Sequence, residues 1–295
     1  MEQLTVSIVI TSKDRKQELA KCLESCKNLS NVNEILVFDD GSSDNTFSFI
    51  KERFPFVNIL RSEKSLGLIN ARTYCASLAK GNIIVSIDDD CVFVDENTVQ
   101  EIVAYFNHPK IAVVTIPVID VLKSDKITQQ GYGNLNNIYI CPEFRGCAHA
   151  LRKDVFIELG GYYNALIRQE EEKEFSNRLY SQGYIIRLGN CSKPILHYHS
   201  VIRNKSQIAF YRARNKFIVN YIYTPTVFLY FELFKQIFML FLFEVTNGFI
   251  LSCLKGCLSA IKQIKYEKIA RHPLSREKYF FMKNLRLNGK IKINL

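Results

Sequence analysis

Ile83-Ile84-Val85-Ser86-Ile87-Asp88-Asp89-Asp90 is the stretch around which the chain is organised. A β-branched apolar run makes a poor helix and a poor solvent-facing surface, so it reads as a buried strand. It ends directly in three carboxylates, at the end of a strand where open α/β sheets bind ligands. Adjacent acids repel, and a divalent cation bridging to a phosphate offsets that repulsion. Asp88 and Asp90, on alternate positions, can reach one site while Asp89 points elsewhere. A solvated acidic turn is the plainer alternative.

Working outward, the preceding 80 residues alternate between two periods. Val6 to Thr11 is a short apolar run, followed by a helical stripe of Leu19, Cys22, Leu23 and Cys26 from about Lys16 to Leu29. Ile35 to Phe38 forms the next strand and ends in Asp39-Asp40-Gly41-Ser42-Ser43-Asp44, an acidic turn that opens a helix. Val57 to Leu60 is a third strand, and a helix over Leu68 to Leu78 leads into the central stretch. Strands alternating with helices predict an α/β fold, a largely parallel sheet covered on both faces. The acidic ends at 39/40 and 88/90 then share one edge of the sheet and can address one ligand.

Beyond the centre, Asn97 to Phe106 reads as a helix and Ile111 to Ile116 as a strand. Residues 120–142 loosen into a hairpin or a covering loop. Phe144 to Leu151 reads as extended, Lys153 to Leu159 as a short helix stopped by Gly160-Gly161, and Glu171 to Ser181 as a helix. Glu170-Glu171-Glu172 at that helix start suits the dipole, yet three neighbouring acids raise one pKa toward the range of a general base. Ile195 to Ser200 carries His197 and His199 on one side, as ligands for a metal or diphosphate, or as structural histidines. No Walker phosphate loop and no Gly-x-Gly-x-x-Gly opens the first helix, which counts against phosphate-loop hydrolysis and ordinary dinucleotide binding.

The 295 residues have a formal net charge of +10, unevenly placed. Residues 1–202 hold 22 Lys+Arg and 25 Asp+Glu, whereas residues 203–295 hold 17 and 4. Residues 208–254 are aromatic and aliphatic, including the run Ile237 to Phe243, with Glu244 near the middle of the stretch from Gln236 to Leu254. An unpaired carboxylate in hydrocarbon costs roughly 2.5–3.5 kcal/mol on the lenient insertion scale, so helices lying in the headgroup region are favoured over a spanning helix. A dimerising or core-capping helical unit, hence a homo-oligomer, is the alternative use of the same segment. Nucleic acid is not the expected partner, because the aromatic runs are continuous rather than interleaved with a polar groove. The nine cysteines lack disulfide-scaffold or four-cysteine zinc spacing and read as packing thiols. Met1-Glu2-Gln3 runs straight into a strand pattern without a signal segment, which places the catalytic part in reducing cytoplasm.

Taken together, Val6-Ser7-Ile8-Val9-Ile10-Thr11 with Arg15, the Asp39-to-Thr46 turn, Gly67-Leu68 with Ala71-Arg72, and Ile87-Asp88-Asp89-Asp90 resemble family 2 glycosyltransferases of the GT-A fold, a Rossmann-like sheet. The likeness continues through Phe144-Arg145-Gly146-Cys147-Ala148, Leu159-Gly160-Gly161-Tyr162 and the acidic helix, covering roughly residues 4 to 200. Tyr211-Arg212-Ala213-Arg214-Asn215-Lys216 and the aromatic helices after it look like the tail of bacterial members acting on surface polysaccharide. Ser65, Thr73-Tyr74-Cys75 and Cys147 depart from the family's common residues at their positions.

The resemblance implies a catalytic domain over 1–205 and a membrane-associated helical region over 206–295. It implies Mn2+ or Mg2+ held by Asp88 and Asp90 with His197, His199 being the alternative. A nucleoside-diphosphate sugar would lie against Thr11, Arg15, Asp39, Asp40, Arg72, Asp88, Asp89 and His197. Glu172, with Glu171 beside it, would be the catalytic base of an inverting transfer to a glycan or lipid-linked acceptor. The location implied is the cytoplasmic face of the inner cell membrane, peripheral or monotopic. A polyprenyl-phosphate sugar transferase and a metal-dependent nucleotidyltransferase are the alternatives.

Overall fold

The computed structural model describes residues 4–198 and 204–295. Its first half follows the alternating pattern: β1 (Val6–Ser12), α1 (Lys16–Cys26), β2 (Glu34–Asp39), α2 (Thr46–Arg53), β3 (Asn58–Arg61), α3 (Leu68–Leu78) and β4 (Ile83–Asp88). β4, β1, β2 and β3 lie side by side, all parallel. β4 is buried from Ile83 to Ile87, as its unbroken apolar run requires.

The second half departs from a simple parallel order. After β5 (Cys91–Val92) and α4 (Thr98–Val103) come β6 (Ile111–Thr115), β7 (Val118–Asp120), β8 (Ile127–Thr128), β9 (Ile138–Ile140) and β10 (Ala148–Arg152). β10 is inserted between β4 and β6, antiparallel to both. The two flanking strands therefore never touch, and the sheet is mixed. Then follow α5 (Lys153–Glu158), α6 (Glu171–Ser181), β11 (Ile185–Leu188) and β12 (Ile195–His197). The loosened stretch after Asp120 contains β8, which pairs antiparallel with β7 in a small second sheet of order β5-β12-β7-β8.

The C-terminal third is α7 (Lys205–Tyr223), α8 (Leu229–Asn247), α9 (Ile250–Tyr266), α10 (Arg276–Asn288) and β13 (Ile291–Ile293). β13 returns to the main sheet and pairs antiparallel with β9, Ile291 opposite Ile140. Glu244 is buried, but Arg212 Nη1 lies 3.0 Å from its Oε1, so the charge that sequence alone leaves unpaired has a partner on α7. All nine cysteines are free thiols, and all are buried.

Candidate active site

Parallel register puts the two acidic strand ends together: Ser12 of β1 is level with Asp39, and Thr11 is level with Asp88. The three acids at 88–90 then diverge. Asp88 remains the most open and is bonded by the buried Arg72 guanidinium. Asp89 turns back into the domain, accepting from Ser12 Oγ at 2.6 Å and facing Arg15 Nη1 at 2.6 Å. Burial pushes Asp89 up to about 7 in spite of Arg15 and Ser12. Asp90 accepts from Arg15 Nη2 at 2.9 Å and lies 3.1 Å from His197 Nε2. Although burial opposes it, His197 and Arg15 hold Asp90 below the ordinary carboxylate range.

His197 arrives from β12, and the small sheet sets its position. It is paired across strands with Cys91 on one side and Asp120 on the other. Asp120 Oδ1 lies 2.8 Å from His197 Nδ1, and Asp120 Oδ2 accepts from Arg145 Nη1 at 2.8 Å. Burial disfavours the His197 cation, but Asp90 and Cys147 carry its pKa up to about 10. One ligand atom each from Asp88, Asp90 and His197 lies within 4.8 Å of the others. Two carboxylates and an imidazole anchored through its far nitrogen fit a Mn2+ or Mg2+ ion. His199 lies outside the described residues.

Asp40 is heavily engaged. Ser65 Oγ donates to its Oδ2 at 2.6 Å, the Leu66 N–H to Oδ1 at 2.6 Å and the Gly67 N–H to Oδ2 at 3.1 Å. It thus clamps the loop that opens α3, where Gly67 has φ +82°. Asp39 accepts from the Ser42 N–H at 2.9 Å, with Arg61 Nε 3.8 Å from its other oxygen.

The acidic helix start is built under strain. Ile167, Gln169 and Glu170 all have positive φ, near +67°, which L residues adopt only when their surroundings enforce it. The enforcement comes from α7. Asn215 Nδ2 donates toward the carbonyls of Leu166, Arg168 and Gln169 at 2.8, 2.5 and 2.9 Å, and Arg214 Nη2 donates to Ala165 at 2.8 Å. The two glutamates that follow have different environments. Glu171 is buried with Oε1 3.7 Å from Arg72 Nη1. Glu172 lines a cavity of about 630 Å³ shared with Asp120, Arg145, Cys147, His197 and Lys216. Burial, then the neighbouring Glu171 carboxylate, hold Glu172 well above its usual range, against the pull of Arg72. Glu174 is structural, paired with Arg178 at 2.6 Å and accepting from Tyr223 Oη at 2.5 Å.

Gly146 makes room for this arrangement, since a Cβ built there would stand 1.9 Å from Glu172 Oε1. Beneath it, buried His149 ties Arg145 O (3.1 Å) to Tyr162 Oη (2.8 Å). Burial and then Arg72 lower its pKa to about 3, so it is neutral. Sequence reasoning missed Asp120, His149 and the positioning role of Asn215. Asp120 had a usable signal, because it closes an apolar run just as Asp39 and Asp88 do. The other two carry none outside their tertiary contacts.

A mixed Rossmann-like sheet with carboxylates along one rim, a histidine beside them and an acidic helix across the cavity defines a GT-A glycosyltransferase. The sequence matches the family described as glycosyl transferase family 2 over residues 7–160, and the chain belongs to that family. It is 26% identical over 187 residues to an uncharacterized glycosyltransferase of Haemophilus influenzae, covering 59% of this chain and 61% of that one. Among solved structures it is similar in fold to a mannosyltransferase from Pyrobaculum calidifontis in complex with GDP-Man and Mn2+. That likeness has TM-score 0.59 and 13% identity over 98% of this chain and 86% of the other. It is also similar to residues 1–349 of TarS from S. aureus in complex with UDP-GlcNAc, with TM-score 0.62 and 12% identity over 97% and 89%.

Proposed function

We propose that the chain is an inverting glycosyltransferase that uses Mn2+ or Mg2+ to move a sugar from a nucleoside-diphosphate donor to a hydroxyl of a glycan or lipid-linked acceptor in the building of cell-surface polysaccharide. The carrying observation is that Glu172 and His197 line one cavity while Glu171 is buried against Arg72. Asp88, Asp90 and His197 hold the ion, which supplies positive charge for the leaving diphosphate. Thr11, Asp39 and Asp40 serve the base and ribose end of the donor, where β1 and β2 finish. Arg15 holds the side chains of Asp89 and Asp90, and Arg72 holds Asp88. Glu172 takes the proton of the acceptor hydroxyl as that oxygen bonds to the sugar's C1 and the C1–phosphate bond breaks. The raised Glu172 pKa favours keeping that proton.

Glu172→Gln tests the assignment. Calorimetric binding of donor with Mn2+ stays, and transfer falls by about 10²–10⁴-fold. Equal loss of binding and transfer would overturn the role. The anomeric configuration of the product, read by NMR, tests inversion. An acceptor panel that includes polyprenyl phosphate separates the lipid-phosphate reading, which the apolar face described next favours.

The division at residue 205 is proposed as one of labour, with the donor and base groups in 1–205 and membrane contact in 206–295. α8 presents Tyr230, Phe234 and Phe238 to solvent, and α9 presents Leu251, Leu254 and Leu258. Only 11% of the most apolar window of Thr226–Asn247 is buried. Such a face beside a strongly basic tail suits peripheral or monotopic contact with the anionic cytoplasmic leaflet. Flotation with anionic vesicles but not neutral ones is expected. A dimer with no flotation would assign the face to a second copy of the chain.

A further inference from the structure

The cavity wall holds a second set of ligand atoms, which shares His197 with the first and adds two thiols that the transfer reaction does not use. Cys91, Cys147 and His197 each offer one atom, all within 4.8 Å of one another. The grouping is built by the strands. Cys91 and His197 are cross-strand partners, and Cys147 immediately precedes β10. The Cys147 carbonyl accepts from the Asp88 N–H at 2.9 Å and the Cys91 thiol at 3.1 Å, which ties the Cys147 backbone to the acidic strand end and to the Cys91 side chain. All three side chains are buried, but Cys147 and His197 line the cavity, so an ion and a water can reach them from it.

We propose that Cys91, Cys147 and His197 form a site for a soft divalent cation of the zinc class, and that it and the Asp88/Asp90/His197 site cannot be filled together. Zinc bonds of about 2.3 Å to sulfur and 2.0 Å to nitrogen in a tetrahedron bring the ligand atoms to roughly 3.5–3.8 Å apart. Atoms already within 4.8 Å need a contraction of about an ångström. The fourth position is a water from the cavity. Asp120 occupies Nδ1 of His197, so both sets compete for Nε2. Softness sorts the ions: thiolates select zinc, whereas carboxylates serve Mn2+ and Mg2+. Zinc binding at the thiols takes His197 from the hard-ion site and releases to solvent every proton that the two thiols and the zinc-facing imidazole nitrogen hold. That zinc thereby inhibits transfer rests on the function proposed above; the existence of the site does not.

The test uses the full chain with Co2+ as a spectroscopic stand-in for zinc, and Mn2+ release followed by electron paramagnetic resonance. Wild type is expected to show thiolate-to-cobalt charge-transfer absorption. Cys91→Ser and Cys147→Ser, each left with one thiolate, show half of it or less, and Cys253→Ser and Cys257→Ser keep it in full. Zn2+ should displace Mn2+ from wild type, and Cys147→Ser should need roughly tenfold more Zn2+ or beyond. Cys147→Ala replaces the serine variant if that one does not fold. Absence of the band in wild type, or its survival at full intensity in both Cys91→Ser and Cys147→Ser, overturns the site. A chain that binds no Mn2+ at all instead defeats the hard-ion assignment, and the cobalt band still decides the thiol site.

Discussion

Asp120 Oδ1 sits 2.8 Å from His197 Nδ1, at the one pair of positions where β7 and β12 end level with each other. The contact fixes which imidazole nitrogen faces Asp90, and it places a carboxylate behind the histidine proposed to bind metal, an arrangement that raises ligand basicity. Asp120→Asn is therefore expected to weaken Mn2+ binding by about 10–100-fold. At saturating Mn2+ most of the turnover should return, and metal titrations of activity and of binding check both.

Glu172 links activity and stability with opposite signs. Its folded-state pKa is raised, by burial and then by Glu171. Its contribution to stability is thus present below the unfolded value of about 4.3 and is lost as pH rises through the higher folded value. Glu172→Gln should raise Tm at pH 7, by about 2–4 °C per kcal/mol recovered, while transfer collapses. In wild type, kcat/KM should climb with pH through an apparent pKa above the ordinary carboxylate range. A flat profile between pH 5 and 8, a window set by those ordinary values, would remove Glu172 from the base role.

Gly146→Ala places a methyl group 1.9 Å from where Glu172 Oε1 now sits. The obstructing atom ends a flexible side chain, so the carboxylate can swing aside and the fold survives. The expected result is a Tm close to wild type with kcat down by about tenfold or more, since misplacing a reacting group by an ångström costs up to 10²-fold. Unchanged kcat would show that Glu172 works from another position.

Asn215→Ala removes the donor that holds the carbonyls of Leu166, Arg168 and Gln169. The half-buried carbonyls of Arg168 and Gln169 lose this donor, at about 1–3 kcal/mol, while Leu166 O keeps Arg214 Nη1 and the Arg168 N–H, and the positive-φ run before α6 is released. Tm should fall and kcat should drop with the KM for donor little changed, because Asn215 braces the turn that leads to Glu172 and bonds none of the residues proposed to hold the nucleotide. A proportionate rise in KM would count against that placement.

The local sequence settled the first 90 residues, because each of those strands and helices is short-range and its hydrophobic period survives in any context. Leu68–Leu78 is a helix as its pattern predicts, and the acids at 39 and 88 end adjacent parallel strands. The family likeness then pointed to Glu171, Glu172 and His197 as candidates, and Glu172 and His197 line one cavity. What the sequence could not decide was pairing at long range. That β10 enters the sheet antiparallel between β4 and β6, that Cys91, His197 and Asp120 fall in one row of a small second sheet, and that Asn215 braces a strained turn some 45 residues earlier all depend on strand order and docking. Such contacts join residues whose own neighbours give no sign of them. Hydrophobic period decides which segments are buried, and only the closed tertiary structure decides which buried polar groups meet.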